Sequence, residues 1–128
     1  MTAGSTQGLD RGLDRGALER LATAISPERL TEMMDGAIRS AAAACRAMRP
    51  MAARGDFAGV ATIVQNVKSS CAALGSPRLL EHLERLETRT RGRRVAGPVP
   101  EIGLVLTDLG AFLNEMRRER RSRSKQAS

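Results

Sequence analysis

The chain has 128 residues, a formal net charge of +7 and 41% apolar residues, so a single domain with its own core is expected. Aromatic residues make up only 2%, which argues against a β fold because sheets favour aromatic and β-branched side chains. Ala, Leu, Arg, Met and Glu are abundant and form helices well, so an all-α domain is expected. With no apolar run long enough to cross a membrane and no apolar signal segment at the start, we expect a cytoplasmic protein without membrane contact.

In chain order, residues 1–16 are rich in Gly, Ser and Asp and are predicted to form a flexible arm. A short first helix is predicted over Ala17 to Ile25, with its apolar residues on one face. Ser26-Pro27 then predicts a new helix start, since Ser caps a helix and Pro suits its first position. This long second helix is expected to reach Arg54, with Pro50 kinking or ending its last turn.

Three more helices follow from the same signals. Gly55-Asp56 predicts a turn into a third helix that ends at Gly75, which is expected to act as a left-handed cap. Ser76-Pro77 opens a Leu-rich fourth helix, and a loop rich in Arg, Gly and Pro covers 88–100. The fifth helix is predicted to begin near Glu101, and its apolar stripe consists of Ile102, Val105, Leu106, Leu109, Phe112, Leu113 and Met116. The fold class is therefore an antiparallel helical bundle.

The net charge is concentrated in two short segments. Arg89 to Arg94 holds four arginines, and Arg117 to Lys125 holds six basic residues against one acid. Together they carry +9, so the rest of the chain carries −2. Runs of like charge usually stay solvated, so 118–128 is predicted to be a disordered basic tail. An alternative function follows, in which the helices are a scaffold and the Arg-rich loop and tail bind nucleic acid or an acidic protein.

The segment 54–87, RGDFAGVATIVQNVKSSCAALGSPRLLEHLERLE, resembles the histidine phosphotransfer (HPt) domain of bacterial phosphorelays. The resemblance rests on a Gly-Asp turn at 55–56, Val67-Lys68, Leu74-Gly75 and the Leu-rich run that ends in Glu87. It extends more weakly over 28–117. It implies an HPt-like four-helix bundle over 17–117, with the short first helix as an addition.

One departure from the family decides the expected chemistry. The phosphoacceptor His of HPt domains would fall at Gln65, and the Gly that usually follows the Lys is Ser69. A neutral amide has no ring nitrogen to attack a phosphoryl group, so Gln65 cannot carry the family's reaction. Lys68, which in the family lies near the phosphoryl oxygens, is retained and is expected to be an exposed cation beside that amide. No catalytic residue is therefore predicted.

The resemblance then implies a non-catalytic binding module that docks a receiver domain or a histidine kinase and regulates or inhibits it. The predicted docking face on the third helix consists of Thr62, Gln65, Lys68, Ser69 and Ala72. A third possibility is a phosphotransferase that works through His82, the single histidine, although no acid or nucleophile is visible near it in the sequence. The other interpretation of His82 is a residue at the boundary of the core.

The remaining reactive side chains are few. One His and two Cys supply few ligands for zinc, so neither a metal nor a cofactor is predicted. Cys45 and Cys71 lie on the apolar stripes of helices that should be neighbours. They are interpreted either as buried thiols that behave as small apolar side chains or as a redox pair.

Overall fold

A computed structural model describes residues 12–92 and 98–127 and shows an all-α protein. Its five helices are α1 (Arg15–Ala24), α2 (Pro27–Ala53), α3 (Phe57–Cys71), α4 (Pro77–Thr90) and α5 (Pro100–Ala127). Within these ranges there is no β-strand, only an isolated antiparallel bridge between Leu13 and Gly75. No helix of the described chain is both long enough and apolar enough to span a bilayer.

The predicted starts of α2, α3 and α4 are confirmed, and each is set by a local cap. The Ser26 hydroxyl accepts a hydrogen bond from the Arg29 backbone N–H at 3.2 Å, and Ser76 accepts one from Leu79 at 3.1 Å. Asp56 caps α3 in the same way, with Oδ1 2.9 Å from the Gly59 nitrogen. These bonds satisfy donors in the first turn that have no partner within the helix.

The predicted helix ends are confirmed in part. The expected end of α2 near Arg54 is confirmed, because the helix continues through Pro50 to Ala53 with Arg54 as its C-cap, and Gly55 follows with a positive φ of 75°. The prediction for Gly75 is wrong: α3 ends at Cys71, and Gly75 does not adopt a positive φ. A glycine is needed there for space, because a Cβ at Gly75 would lie 2.8 Å from the Cys71 carbonyl oxygen.

The core lies where the long helices meet. In the packing of the described chain, α2 and α4 each contact both α3 and α5, so the four helices close a cycle, while α1 packs on α2. Both Phe112 and Leu109 of α5 are fully buried at its centre. The small α2 residues Ala37, Ala41 and Ala44 are also buried, which allows neighbouring helices to approach closely.

The first residues of the described chain are packed against the helices, which corrects the prediction of a flexible arm over 1–16. Leu13 is completely buried, and its backbone N–H donates to Glu115 Oε1 at 3.2 Å. The backbone also pairs with the α3–α4 connection, from Asp14 N to Leu74 O at 2.8 Å and from Ser76 N to Gly12 O at 2.7 Å. A buried leucine and three hydrogen bonds hold residues 12–14, whereas 1–11 lie outside the described residues.

The predicted disordered tail over 118–128 also needs correction, since α5 continues as a helix to Ala127. Its C-terminal turns have partners on other helices. Arg120 lies 2.9 Å from Asp35 of α2, and Glu119 lies 2.7 Å from Arg15 of α1. A segment that two ion pairs join to α1 and α2 is not the isolated, solvated run of like charge that the sequence indicated. Residue 128 lies outside the described residues.

Candidate functional site

The predicted docking face lies on α3, whose four buried residues are Val60, Val64, Val67 and Cys71. Their spacing of three and four residues turns one side of the helix inward. Four of the five predicted site residues, Thr62, Gln65, Ser69 and Ala72, are consequently exposed on the other side. Their surface is polar and uncharged, and the Thr62 hydroxyl is occupied by a bond to the Ala58 carbonyl at 3.1 Å.

Lys68 differs from the exposed cation beside an amide that the sequence predicts, since its side chain is only 32% exposed and is ion-paired. Its ammonium group lies 2.8 Å from Glu84 Oε2 and 2.5 Å from Glu87 Oε1, both on α4. The other carboxylate oxygen of Glu87 lies 2.7 Å from Arg91. The Glu87 side chain is only 9% exposed. Lys68 therefore links α3 to α4, and its charge is balanced within the molecule.

The contacts of Lys68 with Glu84 and Glu87 predict how the stability of the fold depends on pH. Hydrogen bonding from Lys68 lowers the pKa of Glu87 from its usual 4.5, and bonds with Glu84 and Glu87 raise the pKa of Lys68 from 10.5. A carboxyl group whose pKa is lowered by folding stabilises the fold at any pH above its pKa in the unfolded chain. This stabilisation is lost as the pH falls through its pKa in the folded protein. The raised pKa of Lys68 stabilises the fold below pH 10.5, and this stabilisation is lost as the pH rises through the pKa of the folded protein.

We therefore expect the urea midpoint to fall more between about pH 6 and about pH 3 in the unmodified protein than in Lys68→Met. Lys125→Met is the matched control, since Lys125 is exposed and makes no ion pair with the described residues. Its pH profile should follow that of the unmodified protein. Equal profiles for all three proteins would show that the Lys68 contacts do not contribute.

The structure also joins two residues that the sequence did not connect. His82 Nδ1 on α4 lies 2.6 Å from Asp108 Oδ2 on α5, and Arg78 Nε lies 3.5 Å from the same oxygen. The Asp108 side chain is 1% exposed and that of His82 is 12% exposed. Asp108 Oδ1 has no hydrogen-bond partner among the described residues. His82 thus has a buried acid beside it, and the pair fastens α4 to α5.

Both cysteines carry free thiols. Burial raises the pKa of Cys71 to about 12, and it also raises the pKa of Cys45 against the opposing effect of Arg117 and Arg46. Because the thiolate is the reactive form, both groups are poor nucleophiles at neutral pH. The interpretation as buried apolar thiols fits this environment better than a redox pair does.

The Arg-rich loop is partly neutralised by neighbouring acids. Arg91 lies 2.7 Å from Glu87, and Arg89 Nε lies 3.9 Å from Glu101 Oε1. Arg93 and Arg94 lie outside the described residues. The described half of this loop therefore offers little free charge to a partner.

The cavities do not coincide with the predicted site. One open cavity of about 420 Å³ lies between the end of α2 and the start of α5, lined mainly by apolar residues such as Phe57, Val99 and Ile102. A second, of about 350 Å³, is bounded by Glu84, Arg89 and Glu101. None of the predicted docking residues lines either of them.

No group of three or more metal-ligating side chains occurs in residues 12–92 and 98–127. Comparison with known proteins gives no match to a family model, a curated protein or a solved structure. The residues and their geometry must therefore carry any functional conclusion.

Proposed function

We propose that the chain is a non-catalytic binding module of two-component signalling, which docks a receiver domain or a histidine kinase through the outward face of α3. In this proposal, α2 to α5 form an antiparallel four-helix bundle of the HPt type, and α1 is an addition to it. The cyclic packing of these helices supports that arrangement. So does the Asp35–Arg120 pair, which joins the first half of α2 to the last turns of α5.

The proposal rests on one observation, the exposure of Gln65 at the position where the resemblance puts the phosphoacceptor. Thr62, Ser69 and Ala72 surround it and are exposed as well. An amide can donate and accept hydrogen bonds but cannot accept a phosphoryl group as histidine does. A surface of this kind retains contacts with a partner while removing the transfer reaction.

Because the charge of Lys68 is neutralised within the molecule, charge attraction contributes little to docking in this proposal. With Glu84 and Glu87 beside it, Lys68 contributes little net attraction to an acidic pocket. Recognition must then depend on shape and hydrogen bonding by Gln65 and Ser69, with modest electrostatic steering. We therefore expect affinity for a receiver domain to depend weakly on salt.

The test measures binding of purified receiver domains and kinase dimerisation domains from the source organism by calorimetry. Ser69→Glu places a charge in the docking face and is expected to weaken binding at least about tenfold, which is ~1.4 kcal/mol. Ser70→Glu makes the same change at an exposed position about 100° further round the helix, and it should change affinity less than about twofold.

Three results would contradict the proposal. The first is equal affinity of the two variants for every domain that binds the unmodified protein. The second is no binding to any of the domains. The third is a stable phosphoryl group on the protein after incubation with a phosphorylated receiver, which would instead support transfer through His82. His82→Gln, which keeps a polar side chain at that position, identifies the acceptor in that case.

A further inference from the structure

The cations of the folded chain divide into two groups according to whether an acid neutralises them. Five on α3, α4 and the turn that follows α4 lie within 4 Å of a carboxylate: Lys68, Arg78, Arg85, Arg89 and Arg91. In contrast, ten exposed cations make no ion pair with any described residue. Arg20, Arg29 and Arg54 lie at three separate points of the chain, and the other seven are Arg39, Arg46, Arg49, Arg117, Arg118, Arg121 and Lys125 on α2 and α5. The larger part of the free positive charge is therefore on these two helices.

The α5 part of this group forms a regular array. Arg117, Arg121 and Lys125 are spaced four residues apart, and Arg118 lies beside them, so all four project from one face over about 12 Å of helix. The buried residues Phe112 and Met116 are on the opposite side of α5. An array fixed on a helix loses less conformational freedom on binding than a disordered tail does.

The α2 arginines extend this array across the α2–α5 packing. The Asp35–Arg120 contact of 2.9 Å joins the two helices beside the array, and Arg46 and Arg117 both lower the pKa of the Cys45 thiol on α2 against the larger effect of its burial. Arg39 lies seven residues before Arg46 and so on the same face of α2. Arg49 lines the cavity that Ile102 of α5 also lines. We name these seven residues the α2–α5 basic face.

The residue composition of the α2–α5 basic face favours one class of anionic partner, a phosphate backbone. The seven residues of this face are all cations, and Leu104, the single large apolar side chain that is exposed in the described chain, is not among them. Neither Phe is exposed, so bases of a single strand have no stacking platform. Phosphate-backbone binding requires only positioned cations. The acids Glu28 and Glu32 are confined to the first turns of α2 and limit the face there.

We propose that the α2–α5 basic face binds the phosphate backbone of a nucleic acid duplex without sequence preference. The arginines donate to phosphate oxygens, and binding releases condensed counterions. This interaction is separate from receiver docking on α3, so either proposal can fail without the other. A chain that does both would bring a signalling partner to a nucleic acid.

The test measures the anisotropy of a labelled duplex of about 20 base pairs against salt concentration. If about five to seven phosphates are contacted, the slope of log K against log salt should be about −4.5 to −6.3. The triple variant Arg118→Gln, Arg121→Gln, Lys125→Gln should make this slope shallower by about 2.7 and lower affinity at least about 30-fold at low salt.

A matched control removes the same charge elsewhere. Arg20, Arg29 and Arg54 are exposed, make no ion pair with the described residues and lie outside the basic face. Their triple change to Gln should lower affinity less than about threefold and leave the salt slope unchanged, because only long-range attraction is lost. Circular dichroism of both variants checks that the helices are intact.

Three results would overturn the proposal. One is an equal loss of affinity in the two triple variants, which would indicate net charge rather than a face. Another is a salt slope that the first triple variant does not change. The third is tighter binding, at equal salt, to polyglutamate or to vesicles containing phosphatidylserine than to the duplex, which would assign the face to a different polyanion.

Discussion

His82→Leu is expected to lower the free energy of unfolding by about 3 kcal/mol, since it leaves the carboxylate of Asp108 buried without its closest partner. The Asp108 side chain is 1% exposed, and its Oδ2 lies 2.6 Å from His82 Nδ1. The second carboxylate oxygen of Asp108, Oδ1, has no hydrogen-bond partner in the described chain. Arg78, 3.5 Å away and half-exposed, replaces the lost contact only in part. Urea unfolding measures the difference through the midpoint at unchanged slope.

A double-mutant cycle separates this effect from simple packing. Adding Asp108→Leu to His82→Leu removes the unpaired carboxylate, so the double variant should recover most of the lost stability. Arg78→Leu serves as the control for a partner at the surface and should cost less than about 1 kcal/mol. Additive costs for the two leucine substitutions would show that His82 and Asp108 are not coupled.

Gly12→Ala is expected to detach the first described residues from the helices and to cost about 2 to 3 kcal/mol. A Cβ at Gly12 would lie 2.2 Å from the Phe112 backbone nitrogen, and a backbone atom in mid-helix cannot move aside. Displacement of residues 12–14 from α5 would expose Leu13. It would also break the hydrogen bonds from Asp14 N to Leu74 O and from Ser76 N to Gly12 O. Burial of one leucine side chain alone stabilises by about 1.5 to 3 kcal/mol.

The control for this prediction is Gly110→Ala in α5. A Cβ at Gly110 meets no atom within 4 Å, so alanine should stabilise the helix by about 0.5 to 1 kcal/mol. Hydrogen exchange gives a second measurement, because the Asp14 and Ser76 amides should lose protection in Gly12→Ala alone. Unchanged exchange at both amides would contradict the attachment of residues 12–14.

Helix starts could be predicted from the sequence because a cap is made within four residues. Ser26, Asp56 and Ser76 bond to nitrogens three positions later, and no distant residue takes part. Apolar stripes are similarly local, which is why the all-α class and the buried side of α3 were correctly predicted. Gly75 was misinterpreted because its role depends on the close approach of a carbonyl rather than on its own dihedral angles.

The contacts that define the candidate site depend on helix register, which the sequence does not reveal. Lys68 reaches acids 16 and 19 residues away, and His82 reaches one 26 residues away. A signal for the second contact was present nonetheless. Asp108 lies three residues after Val105 and four before Phe112, so it occupies a core position of the α5 stripe. A lone acid at such a position indicates a buried partner.

The pairing of Arg15 with Glu119 brings the beginning of the described chain beside the last turns of α5. The first described residues and the last turns of α5 therefore lie at the same end of the helices, while the Gly55 turn follows the other end of α2. Attachment at this end would leave the α3 surface accessible but would lie beside Arg121 and Lys125 of the α2–α5 basic face. A protein immobilised there therefore suits binding measurements with signalling domains, whereas duplex binding is better measured in solution.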